Sequence, residues 1–201
     1  MCIRDSPYTI GTYLSKEINS DMVSTEDSAF DSTLKESEET IEKLLSNQGN
    51  RTVESLHKEL GLIMWNNCGM SRNQEDLDKA LKEVDELKKT FWSDVKVPGK
   101  SDSINKELEK AWRVSDFIEL GEVMMHDARD RKDSCGAHFR EEYQTEDGEA
   151  LRNDEEYNYV SSWEYAGENV PPNLHKEILN LGEIKIYNKT LYIFLHLLID
   201  S

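Results

Sequence analysis

A chain of 201 residues with 24 Lys and Arg against 41 Asp and Glu has a formal charge of -17 and a pI near 4.7. That balance excludes nucleic acid and anionic membrane surfaces as partners, because both require clustered cations that displace counterions. The length suits one domain with a real core, and four Trp, eight Tyr and periodic Leu argue against global disorder despite 32% charged residues.

Met1 to Ser6 shares no periodic pattern with the residues after it and is expected to be a non-native leader. From Pro7, the spacing of Ile10, Tyr13, Leu14 and Ile18 predicts a short amphipathic helix entered just after a proline. A second helix is predicted from about Ser28 to Ser46, with Phe30, Leu34, Ile41, Leu44 and Leu45 on one broken face and Asn47–Asn50 as its stop. Thr52 reads as the N-cap of a third, carrying Val53, Leu56, Leu60, Ile63 and Met64 and ending at Asn66–Gly69. A fourth begins near Asn73, buries Leu77, Leu81, Val84, Leu87 and Phe91, and stops at Val97-Pro98-Gly99. Its other face, including Asp78, Lys79, Lys82, Glu83, Glu86 and Lys89, is solvated.

The stretch from about Asn105 to Arg131 has apolar residues on most of its circumference, among them Trp112, Val114, Phe117, Ile118, Leu120, Met124 and Met125. A helix apolar nearly all round is a buried one, so it is expected at the centre of the bundle. Short connections make neighbouring helices antiparallel. Beyond Arg140 the helical period fails. Asp147-Gly148 marks a turn, Tyr157 to Tyr165 alternates like a half-buried strand, Pro171-Pro172 is an extended break, and Ile184 with Ile186 predicts one more short strand. The apolar run Leu191–Ile199 would reach only about 14 Å as a helix, against a bilayer core of about 30 Å, so it does not span a membrane.

Chemistry concentrates at Asp133–Tyr143, where Cys135, Gly136, His138 and Arg140 fall within six residues. Cys135 and His138, with Cys68 and His126, contain the residue types of a zinc site, and a Cys-His pair those of a nucleophile. Doubled CxxC spacing is absent, so a buried thiol and a hydrogen-bonded histidine is the favoured reading. Three widely separated cysteines with no secretory signal suit a reducing, cytoplasmic setting. Glu141-Glu142 and Asp154-Glu155-Glu156 read as solvated runs, Trp65, Trp92, Trp112 and Trp163 as core or interface anchors, and neither GxGxxG nor a Walker pattern is present to cradle a nucleotide.

Asp133–Thr145, Arg152-Asn153-Asp154 and Lys58–Arg72 resemble the C-terminal portion of succinate dehydrogenase/fumarate reductase flavoprotein subunits of the Bacteroidetes type. Pro7–Gly11 is similar to the point where that family's flavin domain runs out into helices, and the resemblance extends from about Pro7 to Lys185. It implies a parent that interconverts succinate and fumarate through covalently held FAD and passes electrons to an iron–sulfur subunit and a quinone-reactive membrane anchor. The fingerprint, the flavin-attaching histidine and the substrate-binding His and Arg of the family belong upstream of Pro7. No catalytic, cofactor-binding or metal residue is therefore carried over, and the chain alone is expected to hold no FAD.

Cys135 stands where most branches have Arg, Trp112 where a small residue is usual, and the apolar end replaces a polar, basic tail, so a truncated or frame-shifted gene fragment is expected. The expectation overall is a mainly α antiparallel bundle of about three main helices with an extended C-terminal segment of a few short strands. It divides into a leader (1–6), the end of the flavin domain with connecting helices (7–50), the bundle (51–132), the extended segment (133–187) and an apolar tail (188–201). Cys135, Gly136, His138, Arg140, Arg152 and Asp154 are the packing and interface candidates, with Gly136 making the turn and His138 and Arg140 bonding across to a neighbouring domain. The expected partners are the flavin domain, the iron–sulfur subunit and, indirectly, the anchor, and the location is cytoplasmic, peripheral on the inner membrane. An L-aspartate oxidase-like flavoenzyme and a non-enzymatic helical adaptor are the alternatives.

Overall fold

The computed structural model describes residues 24–167 and 170–179, together with residues 10, 11, 13, 14 and 16, which are helical. The expected leader, the strand at Ile184 and Ile186 and the apolar run from Leu191 lie outside the described residues.

Four long helices form where the periodicity predicts them: α1 (Ser28–Ser46), α2 (Val53–Asn67), α3 (Gln74–Asp94) and α4 (Lys106–Asp130). Each starts at a side chain that takes up otherwise unpartnered backbone N–H groups. Asp27 accepts from Ala29, Thr52 from Ser55, Asn73 from Asp76, and Asn105 from both Glu107 and Leu108. Between and after them run two-residue bridges, β1 (Arg51–Thr52) with β3 (Val95–Lys96) and β2 (Ser71–Arg72) with β4 (Phe139–Arg140), both parallel. The first sets the start of α2 beside the end of α3, and the second sets the start of α3 beside the chain just past α4. Consequently α2 and α4 run one way and α3 the other, the antiparallel order expected.

The core lies between these three helices. Leu56 and Leu60 of α2, Leu77, Val84, Leu87 and Phe91 of α3, and Ala111, Val114, Ile118 and Met125 of α4 are buried, and Leu44 of α1 joins them. Each such large side chain contributes about 1.5–3 kcal/mol over its exposed state. A Cβ on Gly121 would sit 3.2 Å from Met64 Sδ and 3.5 Å from Leu60 Cδ1, so the glycine admits α2 close against α4.

The burial of α4 departs from expectation. The helix is buried on a single stripe of alternating three- and four-residue steps, Ala111 to Ala128, whereas Phe117 (42%), Leu120 (57%) and Met124 (46%) are exposed. It packs chiefly against α2 and α3, which cover only part of its circumference.

Past α4, a four-residue helix α5 (Asp154–Tyr157) precedes β5 (Tyr159–Glu164), which pairs antiparallel with β6 (Asn173–Ile178). The predicted strand from Tyr157 starts two residues later, because Tyr157 ends α5 and Asn158 caps it. β6 begins directly after Pro171-Pro172 and escapes the sequence reading because its alternation, Leu174 then Lys176 then Ile178, is weak. The ribbon rests on the last turns of α4: Trp163 Nε1 donates to Asp127 Oδ1 at 2.9 Å and the Tyr159 hydroxyl donates to Asp130 Oδ2 at 3.4 Å.

Candidate functional site

The polar residues singled out by sequence converge where β2 meets β4. α4 ends there, and its last carbonyls have no helical partner. Arg140, only 1% exposed, supplies one: its Nη1 donates to the carbonyls of Ala128 (2.9 Å), Arg131 (3.2 Å) and Arg129 (3.3 Å). Nη2 donates to Gln74 Oε1 at 3.2 Å and Nε to Glu142 Oε2 at 3.1 Å, and the guanidinium lies 5.7 Å from the Tyr143 ring centre. A cation thus sits at the negative end of α4's dipole.

Glu142 plays the complementary part. It accepts the backbone N–H of Gln74, the first residue of α3, placing a carboxylate at the positive end of that helix. Burial pulls its carboxyl upward, but the Gln74 N–H and Arg140 outweigh that and hold it below the usual range. The Arg140–Glu142 ion pair therefore joins the end of one helix to the start of another, with both charges matched to the dipoles they face.

The hairpin that delivers Arg140 is local in origin. Cys135 and His138 exchange backbone bonds of 2.8 and 3.1 Å, and Gly136 between them has φ +61°, a left-handed conformation cheap only for glycine. Ser134, fully buried, accepts the Arg140 N–H at 2.8 Å, and its hydroxyl lies 3.2 Å from the Arg140 carbonyl. Buried Asp133 accepts from Arg131 Nε at 2.8 Å.

His138 clasps the assembly. Its Nδ1 lies 2.7 Å from Arg72 Nη1 and its Nε2 3.1 Å from the Arg131 carbonyl. An arginine only donates and a carbonyl only accepts, so these partners require a neutral ring with the proton on Nε2. Burial depresses the imidazole's pKa, the Arg131 carbonyl opposes that, and Arg72 and Arg140 add to the depression, which keeps the ring in that form.

Cys135, Gly136, His138 and Arg140 are thus brought together. Arg152 and Asp154 pair with each other, Arg152 Nε donating to Asp154 Oδ1 at 3.1 Å, on the outer side of the same segment. The bonds expected from His138 and Arg140 to a neighbouring domain are made inside this chain, because the hairpin folds back onto α4 and turns both side chains inward. Sequence reasoning missed the roles of Arg72, Gln74 and Ser134, whose partners lie on other elements, and of Arg131 and Asp133, which pair with each other two residues apart. The only local signal was an Arg directly before the Asn73 cap.

Among the described residues no three His, Cys, Asp or Glu side chains are grouped to hold a metal ion. The Cys68 thiol is pushed up by burial, against a weaker pull from Arg72, so it stays protonated and is a poor nucleophile. Beside the junction an open cleft of about 570 Å³ is walled by His126, Arg129, Lys132, Tyr143 and Trp163. Arg129 is paired with Asp78 there, and Arg140 with Glu142. At the starts of α2, α3 and α4, Thr52, Asn73 and Asn105 accept from one or two backbone N–H groups each, and Glu142 adds a carboxylate at the start of α3.

Comparison with known proteins agrees with this architecture. The family model described as "Fumarate reductase flavoprotein C-term" matches residues 57–191. The fumarate reductase flavoprotein subunit of a Serratia strain is 30% identical over 113 residues, 56% of this chain and 19% of that protein. The succinate dehydrogenase flavoprotein subunit of Rickettsia bellii is 31% identical over 128 residues, covering 60% and 20%. The chain thus spans about a fifth of the length of these curated relatives. Among solved structures, E. coli quinol fumarate reductase FrdA superposes with a TM-score of 0.65 at 20% identity, over 83% of this chain and 27% of that one, a likeness of fold.

Proposed function

The chain belongs to the fumarate reductase flavoprotein C-terminal family, and on that premise we propose that it is the packing and subunit-contact portion of an enzyme interconverting succinate and fumarate. The parent holds FAD in its upstream domain and passes electrons to an iron–sulfur subunit, and through it to a membrane anchor. The family match across 57–191, with its centre on the bundle and the Arg140 junction, carries this reading. The names of the relatives favour it over the aspartate oxidase and adaptor alternatives.

In this reading residues 7–50 lead out of the flavin domain, 51–132 form the bundle and 133–187 form the contact segment. His138 and Arg140 hold the segment in place from within. Its outer rim, with exposed Gly136 and Asp154 and half-buried Cys135 and Arg152, faces the iron–sulfur subunit. The assembly is cytoplasmic and peripheral on the inner membrane. Among the described residues no helix is long and apolar enough to cross a membrane, so attachment runs through the partners.

The test compares the 201-residue chain with the full-length flavoprotein. The full-length protein is expected to show flavin absorbance and to reduce an artificial acceptor with succinate, and the chain alone to do neither. Flavin bound to the chain, or turnover by it, overturns the division of labour.

A further inference from the structure

The cleft of about 570 Å³ beside the Arg140 junction is walled by three separate parts of the chain. His126 and Arg129 come from the last turns of α4, Lys132 and Tyr143 from the segment after it, and Trp163 from β5. Its wall is basic in a chain that is not. His126, Arg129, Lys132 and Arg140 line it against two carboxylates, Asp130 and Glu142, whereas over the whole sequence 41 Asp and Glu outnumber 24 Lys and Arg.

Hydrogen-bonding capacity on that wall is unevenly used. The acceptors are committed: Glu142 accepts from the Gln74 N–H and from Arg140, and Asp130 Oδ2 lies 3.4 Å from the Tyr159 hydroxyl and 3.8 Å from Lys176 Nζ. The Gln74 amide accepts from Arg140 and donates to Asp78 Oδ2 at 3.1 Å. Donors remain. Among the described residues Lys132 forms no ion pair, and neither the His126 ring, stacked against Trp163, nor the Tyr143 hydroxyl forms a hydrogen bond. Arg129 meets Asp78 through Nε, which leaves its Nη groups for another partner. Ammonium and guanidinium groups donate and never accept, so the capacity left over suits a ligand rich in acceptors and negative in charge.

We propose that this cleft binds a small oxyanion carrying two or more negative charges, held by Lys132, Arg129, His126 and the Tyr143 hydroxyl. The site is independent of the reading under Proposed function. Hydrogen bonds from charged donors to such an ion are about twice as strong as neutral ones. Arg129 and His126 belong to α4, whereas Lys132 and Tyr143 belong to the segment beyond it, so a bound ion ties that segment to the bundle and stabilises the folded chain. The net charge of -17 repels anions from the rest of the surface, which confines binding to this place.

The test is titration calorimetry of the 201-residue chain with pyrophosphate and, separately, with citrate, in metal-free buffer at constant ionic strength, with chloride as the monovalent control. Saturable binding of one ion per chain is expected, together with a higher melting temperature, and none with chloride. Pyrophosphate alone assigns a phosphate ligand, citrate alone a polycarboxylate, and both a site that reads charge. Lys132 is exposed, so Lys132→Gln should leave the unliganded melting temperature unchanged and weaken binding by about tenfold or more. Tyr143→Phe, which removes only the hydroxyl, should weaken it several-fold, and Lys35→Gln on α1 should change nothing. No saturable heat with either ion, or an affinity that Lys132→Gln leaves unchanged or that Lys35→Gln lowers equally, overturns the site.

Discussion

The two ends of the helical bundle are tied by the same backbone device and by different physics. Each has a two-residue parallel bridge. At the end with β1 and β3 the bridge is backed by apolar burial and close backbone contact: Leu44, Phe91 and Val95 are fully buried, and a Cβ on Gly49 would lie 1.9 Å from the Asp94 carbonyl oxygen. At the end with β2 and β4 it is backed by a buried cation, its carboxylate and a neutral imidazole. An apolar contact tolerates a lost partner by repacking, whereas a buried charge does not. The polar end should therefore be the more brittle, and the one where a histidine responds to pH.

The largest effect is expected from Arg140→Ala, which removes the donor from the carbonyls of Ala128 and Arg129 in α4 and of Arg131 just past it, and takes from Glu142 its cation. Chemical denaturation should show a loss of about 3–5 kcal/mol, because the carbonyls of Ala128, Arg129 and Arg131 each lose a donor at about 1–3 kcal/mol per buried unsatisfied group, while Glu142, 38% exposed, stays solvated. Arg140→Lys should restore little, since one ammonium cannot reach Gln74, Glu142 and the helix carbonyls together. A loss under about 1 kcal/mol would remove the contrast between the ends.

Next comes Gly49→Ala, expected to cost about 1–3 kcal/mol because the obstacle is backbone rather than a movable side chain. Combined with Arg140→Ala the losses should add to within about 0.5 kcal/mol, as they do for sites sharing no partner. Coupling well beyond that would mean the ends communicate through α3. Asn73→Ala should cost about 1 kcal/mol, the value of an N-cap, and less in an Arg140→Ala background, because Glu142 is then free to move to the exposed N–H groups.

The smallest effect is the pH dependence. The folded pKa of His138 lies below its unfolded value of about 6.5, so the unfolded chain takes up a proton first on acidification. Stability should fall as pH drops below about 6.5, until the folded pKa is passed. Glu142, depressed in the fold, contributes stability above its unfolded pKa that is lost at lower pH. Burial shifts His126 in the same direction as His138, so the wild-type slope contains both. Urea midpoints at about pH 7.5 and pH 5.5 should differ less for His138→Gln than for the wild type. Gly49→Ala should keep the full wild-type slope, and an unchanged slope in His138→Gln would remove the clasp from the account.

Much of this molecule is legible along the chain because its causes are local. Thr52, Asn73 and Asn105 cap helices by reaching two or three residues ahead, and the core stripes of α2 and α3 follow from spacing alone. Gly136 at a turn is equally local, since a left-handed φ depends on the residue itself. Residue types clustered at Asp133–Tyr143 marked the place of the site, but not the direction of its side chains. Arg140 looked outward in sequence because its acceptors are carbonyls nine to twelve residues back and an amide 66 residues away. Those positions adjoin only after α3 and α4 have packed.

The same limit governs α4 and Gly61. Composition established that α4 is apolar on most sides, and helical periodicity established where it begins and ends. How many of those sides are covered depends on the number and placement of neighbours, which only the tertiary structure decides. Among the described residues they leave one flank of α4 and the glycine of α2 open. Short-range geometry determined the helices, their caps and the turn at Gly136. Long-range packing decided which charges are buried, which imidazole tautomer is held and which apolar face remains without a partner, because each of those depends on groups that the chain brings together from far apart.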